Sequence, residues 1–171
     1  MKSVDGESLL QAWGPEFFRE LSTFGALSDR VVRRLLCEGS IFELDAGEVV
    51  YRAGERTDSF YVVLRGAMNL YVSTDHLHVL TRQHLRGEEF GFVPMIALHD
   101  RTATAVSAQA GTLVVKVTAG QFHELHLSEP DDFGLLLLNL AREMARAVGV
   151  LSQSILKLSE QATTGRPPAA P

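Results

Sequence analysis

The sequence predicts an α+β fold: a β-roll of the jelly-roll type (a double-stranded β-helix), flanked by N-terminal helices and a long C-terminal helix. Three observations predict it. Apolar residues recur at three- and four-residue spacings near both ends of the chain, as they do in amphipathic helices. The stretch between them, residues 40–117, holds short β-rich runs separated by glycine-bearing turns. Many short strands at such close spacing are typical of a jelly roll and not of a parallel sheet.

Residues 1–39 are predicted to form the N-terminal helices. Gly14-Pro15 interrupts the first apolar run, because neither residue favours a helix interior. Ser28 is a predicted N-cap for a second helix, since its hydroxyl can accept a hydrogen bond from an amide of the first turn. Gly39 marks the end of that helix.

Residues 40–117 are predicted to form the β-roll. Seven runs are predicted to be strands: Ile41–Leu44, Glu48–Arg52, Ser59–Leu64, Met68–Ser73, Leu77–Thr81, Thr102–Ser107 and Leu113–Val117. The insert at residues 87–104 interrupts this pattern, because its first half is too irregular for a strand. We expect one or two helical turns there.

Residues 118–160 are predicted to be helical again. Thr118 and Gln121 fit a capping box at the start of a short helix, and Pro130 opens a long one. An apolar seam with three- and four-residue spacing along the long helix favours pairing with a second copy, so we expect a homodimer. The alternative is that the same residues pack onto the roll. The residues proposed for the dimer helix are Leu137, Leu140, Met144, Leu151 and Leu158. Residues 161–171 are predicted to be a disordered tail.

Composition restricts the classes of function. The chain has 171 residues, which is the length of one domain, and 16 Lys+Arg against 21 Asp+Glu give a net charge of −5. That balance argues against a wholly basic nucleic-acid binder. Cys37 is the single cysteine, so an internal disulfide framework is excluded. With no apolar run of about 18 residues and no signal-peptide pattern, we expect a cytoplasmic protein without a membrane partner.

The order of elements, together with three motifs, resembles the cyclic nucleotide-binding domain. This family includes the bacterial catabolite-activator type of transcription regulator and the regulatory subunits of cAMP-dependent kinase. Gly47–Glu55 is similar to the family's strand–turn signature, and Phe60–Tyr71 is similar to its next hairpin. Gly87–Thr104 resembles the phosphate-binding cassette, which implies a non-enzymatic sensor that signals through the long helix.

The resemblance also implies site residues. Arg101 matches the arginine that holds the cyclic phosphate, and its guanidinium suits two phosphate oxygens; the alternative role is a salt bridge with a neighbouring acid. Phe92 stands where the family has the glutamate that binds the ribose 2′-hydroxyl. Glu88 and Glu89 are the nearby carboxylates that could replace it, but their spacing in the sequence does not support either one. The ligand-binding candidates are Gly87, Glu88, Gly91, Phe92, Arg101 and Thr102. On the long helix, Arg142 and Arg146 are candidates to face the base, or else to form salt bridges with Glu143 and its neighbours.

Three hypotheses follow. The first is a sensor that binds cAMP, cGMP or cyclic di-GMP. The second is a ligand-free dimerisation or protein-interaction domain in which Phe92 fills the pocket. The third, an enzyme or metalloprotein, is disfavoured because we expect the six histidines to be solvent-exposed. We therefore expect no catalytic residue, metal or cofactor. Related regulators continue into a helix-turn-helix domain where this chain stops, so we expect no sequence-specific binding to DNA.

Overall fold

The computed structural model describes residues 1–164. Its strands are β1 (Lys2–Val4), β2 (Ser40–Leu44), β3 (Val49–Tyr51), β4 (Ser59–Arg65), β5 (Ala67–Ser73), β6 (His78–Leu85), β7 (Glu89–Phe90), β8 (Thr104–Ser107) and β9 (Thr112–Thr118). Its helices are α1 (Gly6–Arg19), α2 (Asp29–Glu38), α3 (Phe92–Ile96), α4 (Ala119–Ser128) and α5 (Pro130–Thr164). The predicted α+β order of helices, β-roll and long C-terminal helix is confirmed.

Two antiparallel sheets form the roll. One has the strand order β1-β2-β9-β4-β7, and the other has the order β3-β8-β5-β6. Tyr61 and Val63 of β4 face the second sheet, whereas Phe60 and Val62 on its other face pack against the helices. The first sheet is therefore buried on both faces, which explains why β4 is apolar along almost its whole length.

The helix boundaries follow the local signals in the sequence. Gly14 interrupts α1 with a φ of 73°. The hydroxyl of Ser28 accepts from the amide of Val31 and caps α2. Thr118 and Gln121 form the complete capping box of α4. These predicted boundaries are confirmed.

The strands β1 and β7 were not predicted. β1 pairs with β2, and β7 pairs with β4 inside the cassette insert. They hold three and two residues, which is too short to show an alternating pattern. At the other end of the chain, α5 continues to Thr164, four residues into the predicted tail, and residues 165–171 lie outside the described residues.

The predicted dimer seam on α5 divides into two parts. Leu140 is fully buried in the core of this chain, and Met144 packs against that core. These two residues therefore hold α5 on the roll, which corrects the expectation that the whole seam faces a second copy. Leu137 is 36% exposed, and Leu151 and Leu158 are 61% and 65% exposed.

Over residues 1–164, no helix combines the length and the apolar character that crossing a membrane requires.

Candidate ligand-binding pocket

A cavity of about 270 Å³ opens where the edges of the two sheets meet. β6 is the edge strand of one sheet, β7 is the edge strand of the other, and α3 follows β7 directly. The residues that line it are Tyr51, Leu70, Val72, Thr81, Arg82, His84, Glu89, Phe90, Gly91, Val93, Pro94, Thr102 and Ala103. Most of this wall is apolar, and the polar side chains come mainly from β6 and from Glu89.

Arg101 lies behind this wall and not in it. Its side chain is 4% exposed, and its guanidinium carbon is 4.1 Å from the ring centroid of Tyr51. Nη1 donates to the carbonyl of Gly91 at 3.1 Å, and Nη2 donates to the carbonyl and hydroxyl oxygens of Ser59 at 2.8 and 3.1 Å. Within residues 1–164, Nε has no hydrogen-bond partner and the guanidinium forms no salt bridge. The alternative of a salt bridge to a neighbouring acid is therefore wrong.

Gly91 allows the close approach of Arg101 to the cassette. Its φ is 83°, in the left-handed region that side chains disfavour. A Cβ at this position would lie 2.5 Å from Nη1 of Arg101 and 3.3 Å from Oη of Tyr51. Glycine is thus required here both for the turn into α3 and for space.

Phe92 does not fill the pocket, contrary to the hypothesis of a ligand-free domain in which this ring blocks it. Its ring is fully buried on the other side of α3, 5.5 Å from the ring centroid of Phe60 and 5.7 Å from that of Phe122. Because this aromatic cluster belongs to the core between the first sheet and the helices, the ring leaves the cavity open.

Glu89, three residues before Phe92, places a carboxyl group in the wall of the cavity. It is 5% exposed, and its Oε2 accepts from the amide of Phe92 at 3.2 Å. Burial raises the pKa of Glu89 to about 7, against the lowering effects of that amide and of Arg82. Its position in the sequence had not identified Glu89 as the carboxylate that replaces the family's glutamate.

His84 lies on β6 beside Glu89 and is 4% exposed. Among the described residues neither ring nitrogen has a hydrogen-bond partner. Burial, together with the nearby charge of Arg82, lowers the pKa of His84 to about 3, against the raising effect of the neighbouring backbone of Glu89, so the ring is neutral at physiological pH. The expectation that all six histidines are solvated is therefore wrong for His84.

Arg82 connects the cavity to the long helix. Its Nη2 lies 3.7 Å from Oε2 of Glu143, a buried residue of α5, and 3.9 Å from Oε2 of Glu88. Glu143 also accepts a hydrogen bond from Arg146. The wall of the cavity and α5 thus share one network of charges.

The other predicted site residues have different places. The carbonyl of Gly87 accepts from Thr23 and Ser22 in the loop after α1, and Glu88 accepts from the amide of Leu85. Neither residue lines the cavity, so their assignment as ligand contacts gains no support from its geometry and stays a prediction.

Arg142 and Arg146 are also absent from the wall of the cavity. Arg142 donates to Asn139, and Arg146 pairs with Glu143. Both contacts lie within α5, which favours the salt-bridge alternative for Arg146, and a base-facing role of the two arginines stays a prediction.

Comparison with known families identifies the fold's relatives. A model of the cyclic nucleotide-binding domain matches residues 41–129, which is more than half of the chain. The chain belongs to this family. Cyclic nucleotide-binding domains are regulatory modules, and the predicted family is confirmed.

Solved structures of cyclic nucleotide-binding proteins share this fold. A domain from Methylobacillus flagellatus superposes with a TM-score of 0.77 at 17% identity, covering 91% of this chain and 88% of that one. The catabolite activator protein of Thermus thermophilus has a TM-score of 0.67 at 21% identity, covering 81% and 63%. The c-di-GMP responsive regulator CLP of Xanthomonas campestris has a TM-score of 0.69 at 13% identity, covering 77% and 65%.

Curated relatives match through a small part of their length. Lysophospholipase NTE1 of Cryptococcus neoformans is 28% identical over 63% of this chain and 6% of its own length. The rat patatin-like phospholipase domain-containing protein 7 is 33% identical over 46% of this chain and 6% of its own. The chain therefore spans only a small fraction of these relatives.

The structure brings together part of the predicted site. Gly91 and Thr102 line the cavity, and Arg101 lies directly behind it. His84 and Glu89 were missed as site residues, because a sequence does not show that β6 and β7 meet at one opening.

Proposed function

We propose that this domain is a non-enzymatic regulatory sensor that binds a cyclic nucleotide in the cavity between β6 and β7. The observation that carries the proposal is the open cavity bounded by Gly91 and Thr102 of the cassette. The cavity of about 270 Å³ lies just below the roughly 300–1,000 Å³ of small-molecule sites, so it suits a cyclic mononucleotide better than a cyclic dinucleotide, which has two nucleotide units. The blocked-pocket alternative loses its basis, because the ring of Phe92 packs in the core.

Arg101 supports the choice of an anionic ligand. It is a buried cation whose hydrogen-bond partners are all uncharged oxygens, and its Nε has no partner among the described residues. Buried charges are ordinarily paired. A cyclic phosphodiester that reaches the guanidinium would supply the missing counter-charge.

Isothermal titration calorimetry with cAMP, cGMP and cyclic di-GMP tests this proposal. We expect the parent protein to bind a cyclic mononucleotide and Arg101→Gln to weaken it by at least about tenfold, which is about 1.4 kcal/mol. Arg56→Gln removes the same charge from an exposed position and is the matched control. Absence of binding by the parent, or equal affinities in the two variants, would contradict the proposal.

The long helix is the proposed output. Glu143 of α5 is buried and lies 3.7 Å from Arg82 in the wall of the cavity, so a ligand that moves Arg82 changes how α5 is held. Hydrogen exchange should therefore change in α5 around Glu143 when ligand binds. An exchange pattern that changes only in the cassette would argue against this output.

Homodimerisation through the second half of α5 is the remaining part of the proposal. Val148, Leu151, Ile155 and Leu158 are exposed and follow the spacing of a paired helix. We expect light scattering to show a dimer that Leu151→Glu with Leu158→Glu converts to a monomer. Leu127→Glu changes an equally exposed leucine of α4 and should leave the dimer intact. A monomeric parent would end this part of the proposal.

A further inference from the structure

His84 is the most unusual polar residue of the cavity. Both ring nitrogens are buried and without a hydrogen-bond partner among the described residues, although a neutral imidazole offers one donor and one acceptor. Leaving such groups unpaired is costly, and nearly all buried polar groups in proteins have partners. The ring is part of the cavity wall, but both nitrogens are covered in the unliganded protein, so a bound molecule reaches them once the ring turns toward the cavity.

Glu89 provides a second polar group in the same wall. One oxygen accepts from the amide of Phe92, and the other has no hydrogen-bond partner among the described residues. Around the two side chains the wall is apolar, formed by Leu70, Val72 and Phe90. Specificity in such pockets usually comes from a few well-placed polar groups in an apolar surface.

The charged side chains around His84 and Glu89 form ion pairs with one another. Arg82, which precedes His84 by two residues on β6, lies near Glu143 of α5 and Glu88 of the preceding turn. A third anion at Arg82 would be repelled by both of these carboxylates. This end of the cavity is therefore unsuited to a phosphate, and it suits an uncharged group with hydrogen-bonding capacity.

We propose that His84 and Glu89 are specificity-determining residues that bind a neutral donor–acceptor group of the ligand, either a sugar hydroxyl or the edge of a nucleobase. This inference rests on the proposed function, because it names the part of the nucleotide that this end of the pocket recognises. Arg101 and Thr102 are left to the phosphate at the cassette.

The test combines calorimetry with thermal denaturation of the unliganded protein. His84→Phe keeps a ring next to Phe90 and removes both nitrogens, so we expect a higher melting temperature and at least about tenfold weaker binding of cAMP. Glu89→Met should weaken binding similarly, whereas Glu89→Gln keeps a donor and an acceptor and should bind within about threefold of the parent. His76→Phe, on the exposed hairpin, is the control and should change neither property.

A second titration separates the two sources of the neutral group. If the group is the ribose hydroxyl, 2′-deoxy-cAMP binds the parent at least tenfold more weakly than cAMP does and is insensitive to His84→Phe. If it is the base edge, the deoxy analogue binds normally, and His84→Phe reduces the preference between cAMP and cGMP. Both results support the inference.

Three results overturn it. If the His84→Phe variant binds cAMP as tightly as the parent does, His84 does not take part in recognition, and the proposed function is unaffected. The same holds if His84→Phe lowers the melting temperature of the unliganded protein, because the ring would then be structural. A parent that binds no cyclic nucleotide overturns both the inference and the proposed function.

Discussion

The pair His84 and Glu89 makes a prediction about stability that needs no ligand. Burial raises the pKa of Glu89 from its ordinary value of 4.5 to about 7, and lowers that of His84 from 6.5 to about 3. The two groups therefore have opposite effects on the pH dependence of unfolding. The perturbations that separate them are His84→Phe, which leaves only the glutamate, and Glu89→Gln, which leaves only the histidine.

The sign for each group follows from which state ionises first. Below pH 4.5 Glu89 is protonated in both states and its burial is harmless; as the pH rises, the unfolded chain loses the proton first, so stability falls until about pH 7. His84 is neutral in both states above pH 6.5. As the pH falls below that value the unfolded chain gains a proton first, so stability falls toward pH 3.

The magnitude comes from the overlap of the two ranges, pH 4.5 to 6.5. Each group changes the free energy of unfolding by up to about 1.4 kcal/mol per pH unit, or up to about 3 kcal/mol across the overlap. In the parent these contributions cancel. In His84→Phe stability should fall as the pH rises through this range, and in Glu89→Gln it should increase.

Urea unfolding followed by circular dichroism at pH 4.5, 5.5 and 6.5, at constant ionic strength, measures these slopes. His76→Phe, at an exposed position, should follow the parent. The charged neighbours Arg82, Glu88 and Glu143 are unchanged in every variant, so their contributions are common to all of the curves. Slopes that differ from the parent's in the same direction in His84→Phe and Glu89→Gln would refute the reasoning.

Three further predictions concern the cassette and its link to α5. Phe92→Glu places the family's glutamate at this position and should lower the free energy of unfolding by at least about 3 kcal/mol, because the side chain at position 92 lies in the aromatic core. A melting temperature equal to that of the parent would contradict this prediction. Gly91→Ala should lower the free energy of unfolding by more than the roughly 1–2 kcal/mol that a left-handed conformation costs a non-glycine residue, because the new Cβ would also meet Nη1 of Arg101. A urea unfolding midpoint equal to that of the parent would contradict this prediction. A double-mutant cycle of Arg82→Gln and Glu143→Gln should show a coupling energy of at least about 0.5 kcal/mol, whereas strictly additive effects would mean that the cavity wall and α5 are independent.

Most of the fold could be predicted because its signals are local. Ser28, Gly39 and the capping box at Thr118 are read from a few neighbouring residues, and the structure places helix ends at each of them. The strand β1 has no such signal. Its three residues become a strand only because β2 offers an unpaired edge, which is a property of the assembled sheet.

The site was less predictable, because it depends on which side of an element each residue faces. Arg101 and Gly91 were found from the cassette pattern, and in the structure the guanidinium of Arg101 donates to the carbonyl of Gly91. His84 lies on an edge strand whose predicted end was Thr81. Its burial depends on β7, a two-residue strand that closes the opposite side of the cavity.

The positions of Phe92 and Glu89 are two results of one local arrangement. Gly91 is the N-cap of α3 and has no side chain to cap the helix. Glu89 performs this task from two residues earlier, by accepting from the amide of Phe92. The ring of Phe92 then takes the buried side of α3, where it packs against Phe60 and Phe122. With a phenylalanine at position 92, the carboxyl group of this turn is therefore that of Glu89, which both holds the first amide of α3 and lines the cavity.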